Sequence, residues 1–286
     1  MTPIEFAVLA FLASIAAGVF GSLLGLGGGI IVVPALTLLF GIDIHFAIGA
    51  SIVAVIATSS GAAATYVRER LANMRVAMVL ELSTVLGALT GAELAAWIPG
   101  SWLYIIFAAA MFYSSMMMFR KRHSEPIPLD RKAPIADWLN LSSSYFDETT
   151  GKEVSYRVIR ARIGLLFGYI AGMLSGLLGI GGGAIKVPTM DLAMRMPMKA
   201  ATATSNFMIG VTAAASAGVY FMKGQINPIV AAPVALGVLI GALFGSKLLG
   251  RIQNKTLRAV FVAVLLIISV RMLVSGIQLG LGTHPQ

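Results

Sequence analysis

Cysteine is absent from the 286-residue sequence, and charge is scarce: charged residues make up 12% of it. Without thiols there is no disulfide, no thiolate metal site and no cysteine nucleophile. Soluble domains carry roughly 25% charged residues, so water is not the main solvent of this chain. The three histidines, His45, His123 and His284, each stand alone in loops, and none reads as a metal ligand. No apolar stretch holds carboxylates paired at i, i+3 or i, i+4. An intramembrane enzyme would therefore lack both a nucleophile–base set and metal ligands, and no cofactor is expected. The first apolar stretch lacks the basic n-region of a signal peptide and runs straight into a glycine cluster.

What the chain has is apolar length. Apolar residues make up 58%, and crossing hydrocarbon takes about 20 of them in a row. Stretches of that kind lie at 4–24, 46–67, 76–98, 102–119, 163–178, 200–222, 229–249 and 257–276. Two shorter apolar pieces, 30–40 and 184–194, follow glycine clusters and are too short to count as secure spans. The net charge of +9 sits beside these stretches, which speaks for membrane lipid and against nucleic acid. The class is an all-α polytopic membrane protein, multi-pass in the cell inner membrane.

The chain also says one thing twice. Gly25-Leu26-Gly27-Gly28-Gly29 precedes Val33-Pro34, and Gly179-Ile180-Gly181-Gly182-Gly183 precedes Val187-Pro188, an offset of 154 from Gly25 to Gly179. The same offset pairs Ser51 with Ser205, Thr58 with Thr212, Tyr66 with Tyr220, Gly87 with Gly241 and Gly91 with Gly245. A duplicated apolar unit with a glycine break inside a membrane segment is the sequence sign of a secondary transporter. The units are a first repeat at 1–119, a polar cytoplasmic linker at 120–162, a second repeat at 163–277 and a short tail at 278–286. Each repeat holds a glycine-broken helix pair and three further transmembrane helices.

The linker carries nine Lys/Arg, with Pro126, Pro128, Pro134 and Ser142 to Ser144 arguing for irregular structure. Trp138, Leu139 and Tyr145 suggest a small amphipathic element within it, against the plainer reading of an ordinary loop. Cytoplasmic loops are rich in Lys/Arg, which places the linker and the loop with Arg68, Arg70 and Arg75 inside. If each glycine-centred pair makes an even number of crossings, then Arg195, Lys199, Arg251 and Lys255 are inside as well. The halves are then inverted and both termini lie outside. If the first helix crosses and the short piece does not, the halves are parallel and those four cations lie outside. The inverted arrangement obeys the rule better. Glu93 and Lys247 occupy equivalent positions, and a contact between them would favour parallel halves.

Glycine lowers helix stability by roughly 1 kcal/mol against alanine, so a run of three opens a helix. Backbone opened in hydrocarbon must be buried in protein or line a polar cavity. The helix restarting after the break presents N–H groups and a positive dipole end that suit an anion. Gly27, Gly28, Gly29, Gly181, Gly182 and Gly183 are therefore candidate substrate-binding positions, the alternative being close helix packing. Packing is the better reading of Gly87-x-x-x-Gly91 and Gly241-x-x-x-Gly245. Lys186, whose repeat partner is Val32, is an ionisable group at membrane depth and so a functional candidate, against snorkelling to the interface. Ser51, Ser205 and Asn206 are polar candidates facing one cavity, against interhelical bonds. Glu81 and Asp191 are candidate proton carriers.

The twin Gly-x-Gly-Gly-Gly…Val-Pro motifs, the Ser205-Asn206 pair after the second, and two membrane units joined by a polar loop resemble the sulfite exporter TauE/SafE family. The resemblance covers the chain outside 120–162. It implies export of sulfite, sulfoacetate or another small organosulfonate, coupled to the proton gradient. An anion channel and a transporter of an unrelated solute are the alternatives. The expected partners are a small anionic substrate, membrane lipid and, in a homodimer, a second copy.

Overall fold

In chain order the elements are α1 (Pro3–Leu24), α2 (Gly29–Pro34), α3 (Ile44–Arg68), α4 (Met74–Ala95), α5 (Gly100–Arg120), α6 (Pro134–Trp138), β1 (Ser143–Asp147), β2 (Lys152–Tyr156), α7 (Ala161–Leu178), α8 (Gly183–Pro188), α9 (Met198–Met222), α10 (Pro228–Leu249) and α11 (Asn254–Gly280). This is a computed structural model that describes residues 2–120, 134–148, 151–249 and 251–280. The linker residues Lys121, Arg122, His123, Glu125, Pro126, Pro128, Asp130, Arg131 and Lys132, together with His284 of the tail, lie outside the described residues. Eight of the helices, α1, α3, α4, α5, α7, α9, α10 and α11, are long and apolar enough to cross a membrane, matching the eight stretches in the sequence. Local signals set their starts. Thr2 and Glu5 form a capping box on α1, and the Asn73 side chain accepts from Val76 N at the start of α4.

The glycine clusters end α1 and α7 for identifiable reasons. Gly25, Gly27 and Gly28 have φ of 72°, 79° and 65°, and Gly179, Gly181 and Gly182 repeat this with 68°, 72° and 73°. A side chain is strained in that left-handed region. The last glycine of each cluster is needed for space. A Cβ on Gly183 would run into the Gly25 carbonyl, and one on Gly29 would lie 2.6 Å from the Gly179 carbonyl. The two breaks therefore touch each other. Past each break the chain turns back as α2 or α8. Pro34 and Pro188 end these short helices, and each is followed by a π-helical turn, Ala35–Leu39 and Thr189–Ala193. Proline removes an N–H and clashes with the carbonyl four residues back, so the widened turn follows directly. Eleven residues at 1.5 Å each reach only about 16 Å, roughly half of the hydrocarbon thickness.

Helix pairs repeat across the halves. Gly237 meets Phe11, Gly241 meets Ile15 and Gly245 meets Ser22, so α1 and α10 run the same way. Gly168 meets Ser83, Gly172 meets Thr84 and Gly176 meets Ala88, so α7 and α4 do too. The two small-xxx-small motifs thus serve close packing, with Gly87 and Gly91 against α7 and Gly241 and Gly245 against α1. In contrast α5 runs against α11, with Ser115 bonded to the Val262 carbonyl and Ser269 to the Ala108 carbonyl. At the centre α3 crosses α9, where Ser59 donates to the Asn206 carbonyl at 2.6 Å.

The linker differs from the irregular segment expected. Its described part holds α6 and an antiparallel hairpin pairing Tyr145 with Val154. Tyr145 and Asp147 turn inward with Val154 and Tyr156, while Trp138 is 83% exposed and Tyr145 only 3%. The amphipathic element of Trp138, Leu139 and Tyr145 is therefore not formed. The inward pattern has period two and spans only five residues per strand, too short to stand out among serines and charges. Asn73 holds the hairpin base through the Leu141 carbonyl and the Tyr156 hydroxyl. Burial pushes the Tyr156 phenol up to about 12, so it stays neutral and able to donate at physiological pH.

Contact between the two breaks makes one substitution decisive. Gly183→Ala forces backbone apart and should cost at least about 2 kcal/mol, as overpacking does. Gly218, in α9, has nothing within 4 Å of a Cβ, so Gly218→Ala should be neutral or stabilising by up to about 1 kcal/mol. Thermal unfolding of both variants in detergent checks the contrast.

Candidate functional site

A broken helix leaves carbonyls without intrahelical donors, and the chain satisfies them from α3 and α9. Ser51 donates to the Gly179 carbonyl at 2.7 Å, Ser205 to Gly25 at 2.8 Å, and Asn206 Nδ2 to Ser22 at 2.6 Å. Each of these bonds crosses from one half to the other. Tyr66 adds a bond to the Ser22 carbonyl and Tyr220 one to Gly176, each within its own half. All five side chains are buried. The structure thus brings Ser51, Ser205 and Asn206 to the breaks, where the two hydroxyls and one Asn206 N–H bond to backbone, while Asn206 Oδ1 is buried with no hydrogen bond among the described residues. Tyr66 and Tyr220 were visible in the sequence only as a conserved offset within apolar stretches. Gly27 and Gly181 both face Val55 and Ile209, at the crossing of α3 and α9. Gly28, Gly29, Gly182 and Gly183 complete the same junction.

The first turns of α2 and α8 fold back on themselves. Ile31 N and Val32 N bond to the Gly28 carbonyl, and Ile185 N and Lys186 N to Gly182. With six residues each, these helices have little dipole to offer an anion. The positive charge at the junction comes instead from a side chain.

Lys186 is 3% exposed and does not snorkel. Its Nζ donates to Thr212 Oγ1 at 2.6 Å, and Thr212 Oγ1 lies 2.7 Å from Glu81 Oε1. A hydroxyl has one proton. With its oxygen accepting from Lys186, that proton is available to the Glu81 carboxylate, which makes Thr212 a bridge between opposite charges. Thr84 Oγ1 stands 3.3 Å from Thr212, and the Met208 carbonyl 2.9 Å. The second Glu81 oxygen, Oε2, is buried and has no hydrogen bond among the described residues. An ammonium at the bilayer centre costs about 3 kcal/mol on insertion scales, and the bridged carboxylate offsets part of that. The site therefore combines a fixed cation, two hydroxyls and a carboxylate. The members that sequence reasoning missed are Thr84 and the bridging role of Thr212. Their signal was the distance of Glu81 and Lys186 from any loop, which demands partners.

Other candidates lie elsewhere. Asp191, 1% exposed, sits in the π-helical turn after α8 and accepts from Arg258 Nη2 at 2.6 and 2.9 Å. The structure does not bring it to Lys186. Glu93 bonds to Lys223 at 3.0 Å.

An eight-helix bundle with two touching helix breaks and a buried cation defines a multi-pass membrane protein with a polar centre. The family model for the sulfite exporter TauE/SafE matches residues 10–272. The chain belongs to this family and is a membrane transporter. It is 28% identical to the probable membrane transporter protein YunE of Bacillus subtilis, over 96% of this chain and 99% of that one. It is 26% identical to YdhB of the same organism, over 80% and 85%, and 26% identical to a probable membrane transporter protein of Xylella fastidiosa, over 81% and 80%. No solved structure matches the chain.

Ser205 separates a structural from a substrate-binding role. Ser205→Ala leaves the Gly25 carbonyl buried without its donor and should cost about 1–3 kcal/mol of stability. Anion affinity, measured by titration on the folded fraction, should stay within about twofold of the parent, less than one neutral hydrogen bond.

Proposed function

We propose that the chain is a secondary transporter that exports a small sulfur-containing anion, such as sulfite or an organosulfonate like sulfoacetate, across the cell inner membrane by alternating access. The observation that carries this reading is Lys186, a buried cation in α8 three residues past the second glycine break, hydrogen-bonded to Thr212. The family description supports the substrate class. Sulfonate and sulfite oxygens are acceptors, and Lys186, Thr212 and Thr84 can donate to them. Glycines at the breaks keep the backbone there free of side chains.

Proton coupling follows from the same cluster. Glu81 and Lys186 balance each other through Thr212. An anion that takes over Lys186 leaves Glu81 as an uncompensated buried carboxylate, a state that costs several kcal/mol and favours proton uptake. Anion binding and protonation of Glu81 thus reinforce one another, so anion and proton leave together and export runs down the anion's own outward gradient. Asp191 is the weaker proton carrier, because Arg258 already holds it.

The reading takes the halves as inverted, with the linker face cytoplasmic. Support comes from helix directions. Gly49 of α3 meets Gln225 just before α10 and Gly61 meets Leu239 within it, so α3 runs with α10 and hence with α1. The corresponding set of α9, α4 and α7 runs the other way. The Glu93–Lys223 bond also fits, since it puts Glu93 on the face opposite the linker.

A thermal-shift panel of sulfite, sulfoacetate, taurine and sulfate on purified protein is the test. At least one sulfur anion should stabilise the parent, and Lys186→Ala should strongly weaken that shift while the protein still inserts. An unchanged shift in Lys186→Ala would sink the role of Lys186. A reporter fused at the C-terminus should be active on the periplasmic side, and cytoplasmic activity would reject the inverted arrangement.

A further inference from the structure

The re-entrant element of the second half carries charge along its length, and that of the first half carries none. Lys186, Asp191 and Arg195 stand where the first half has Val32, Thr37 and Gly41. Lys186 belongs to the central site. Asp191 and Arg195 line a different space, a cavity of about 240 Å³ beneath the linker hairpin. Tyr145, Asp147 and Val154 roof it, and Arg258 closes one side. At about 30 Å³ per water it has room for roughly eight waters, enough for a small oxyanion with part of its hydration.

Most of the charges around this cavity are spoken for. Asp191 is held by Arg258 at 2.6 Å, and Asp147 by the fully buried Lys199 at 2.7 Å. These pairs cancel; Arg195, which also stands close enough to Asp191 to act on its charge, is the surplus cation of the group. Its Nε is buried and has no hydrogen bond among the described residues.

The backbone of the turn gives no reason for an arginine here, although Arg70 and Arg160 also adopt a positive φ. Arg195 has φ of 61°, in the left-handed region. Its repeat partner Gly41 has φ of 64°, so the turn itself calls for glycine. An arginine held there costs about 1 kcal/mol or more. Bonds from Met194 N to Thr189 O and from Met196 N to Met190 O fix the turn on either side. Packing does not explain the side chain, because glycine closes the same turn in the first half.

We propose that this cavity is a second anion-binding site, with Arg195 as the receptor, that admits small sulfonate or sulfite oxyanions on the linker face before they reach Lys186. The site rests on the transport reading for its place in the pathway, while its affinity for anions does not.

The absence of cysteine provides the test. Val154→Cys places a single thiol on the cavity wall of the full-length protein. Its labelling is followed with 2-sulfonatoethyl methanethiosulfonate, itself an organosulfonate, and with the cationic trimethylammonium analogue. The anionic reagent should react faster. Adding Arg195→Gly, which restores the residue the turn prefers, should slow the anionic reagent about tenfold, the worth of one charged hydrogen bond, and leave the cationic one within twofold. Thermal stability of Arg195→Gly should equal or exceed that of the parent, and Arg195→Lys should restore most of the anionic preference. Sulfoacetate should protect the thiol only when Arg195 is present. Equal rates for the two reagents, or a preference indifferent to Arg195, overturns the site. Because labelling requires no transport, failure of the anion panel at Lys186 would count against the transport reading alone.

Discussion

Backbone that leaves a helix inside hydrocarbon must find partners, and the rest of the structure is arranged around that demand. Each unpaired amide group costs several kcal/mol where no water can reach it. The chain opens two helices at its centre and meets the cost with five side chains from α3 and α9. Three of these, Ser51, Ser205 and Asn206, reach across from the opposite half. Neither half is complete alone. The break in α1 is capped by α9, the break in α7 by α3, and the last glycine of each cluster lets the two breaks touch.

On that near-symmetric scaffold the charges are not symmetric. Val32 and Lys186 occupy equivalent places, as do Thr37 and Asp191, and Gly41 and Arg195. The serine and tyrosine bonds to the breaks repeat in both halves, with Asn206 an addition at the first break, so charge could diverge in one half without disturbing them. This division of labour explains why polar residues that look like substrate ligands turn out to hold carbonyls. Hydroxyls at equivalent positions in both halves serve the repeated feature, the break. The group present in only one half, Lys186, serves whatever breaks the symmetry.

The sequence revealed the architecture because each feature had a local cause. Long apolar runs, paired glycine clusters and a constant offset of 154 (Gly25 to Gly179) marked eight spanning helices and two short returns. Lys186 and Glu81 stood out through their charge. Their bridge did not, because Thr212 looks like any threonine in a membrane helix until Lys186 and Glu81, more than 100 residues apart, meet on it. Ser51, Ser205 and Asn206 stood out as polar candidates, but their bonds to the broken backbone did not, since sequence shows which residues are polar and not which acceptor lies nearest. The linker hairpin was missed because its inward residues alternate for only five positions per strand.

The bridge through Thr212 also bears on how a symmetric scaffold can carry a directional load. A lysine paired tightly with a carboxylate would be neutral and of little use to an anion. A lysine with no partner would carry the whole cost of a buried charge. One hydroxyl between Lys186 and Glu81 gives an intermediate condition, in which charges are balanced yet each is bound to a neutral group. An anion can displace a hydroxyl from an ammonium more easily than it can displace a carboxylate, because it exchanges a neutral acceptor for a charged one. The same displacement takes the ammonium out of the bridge to Glu81; Thr212 can still donate to Oε1, but the buried Oε2 has no donor among the described residues. The carboxylate is then left to a proton. In this reading the threonine sets the strength of the coupling, since it is hydrogen-bonded to both charges. Its repeat partner, Thr58, bonds to the Ala54 carbonyl of its own helix, as Thr212 can to the Met208 carbonyl, and what sets Thr212 apart is its contact with Lys186 and Glu81.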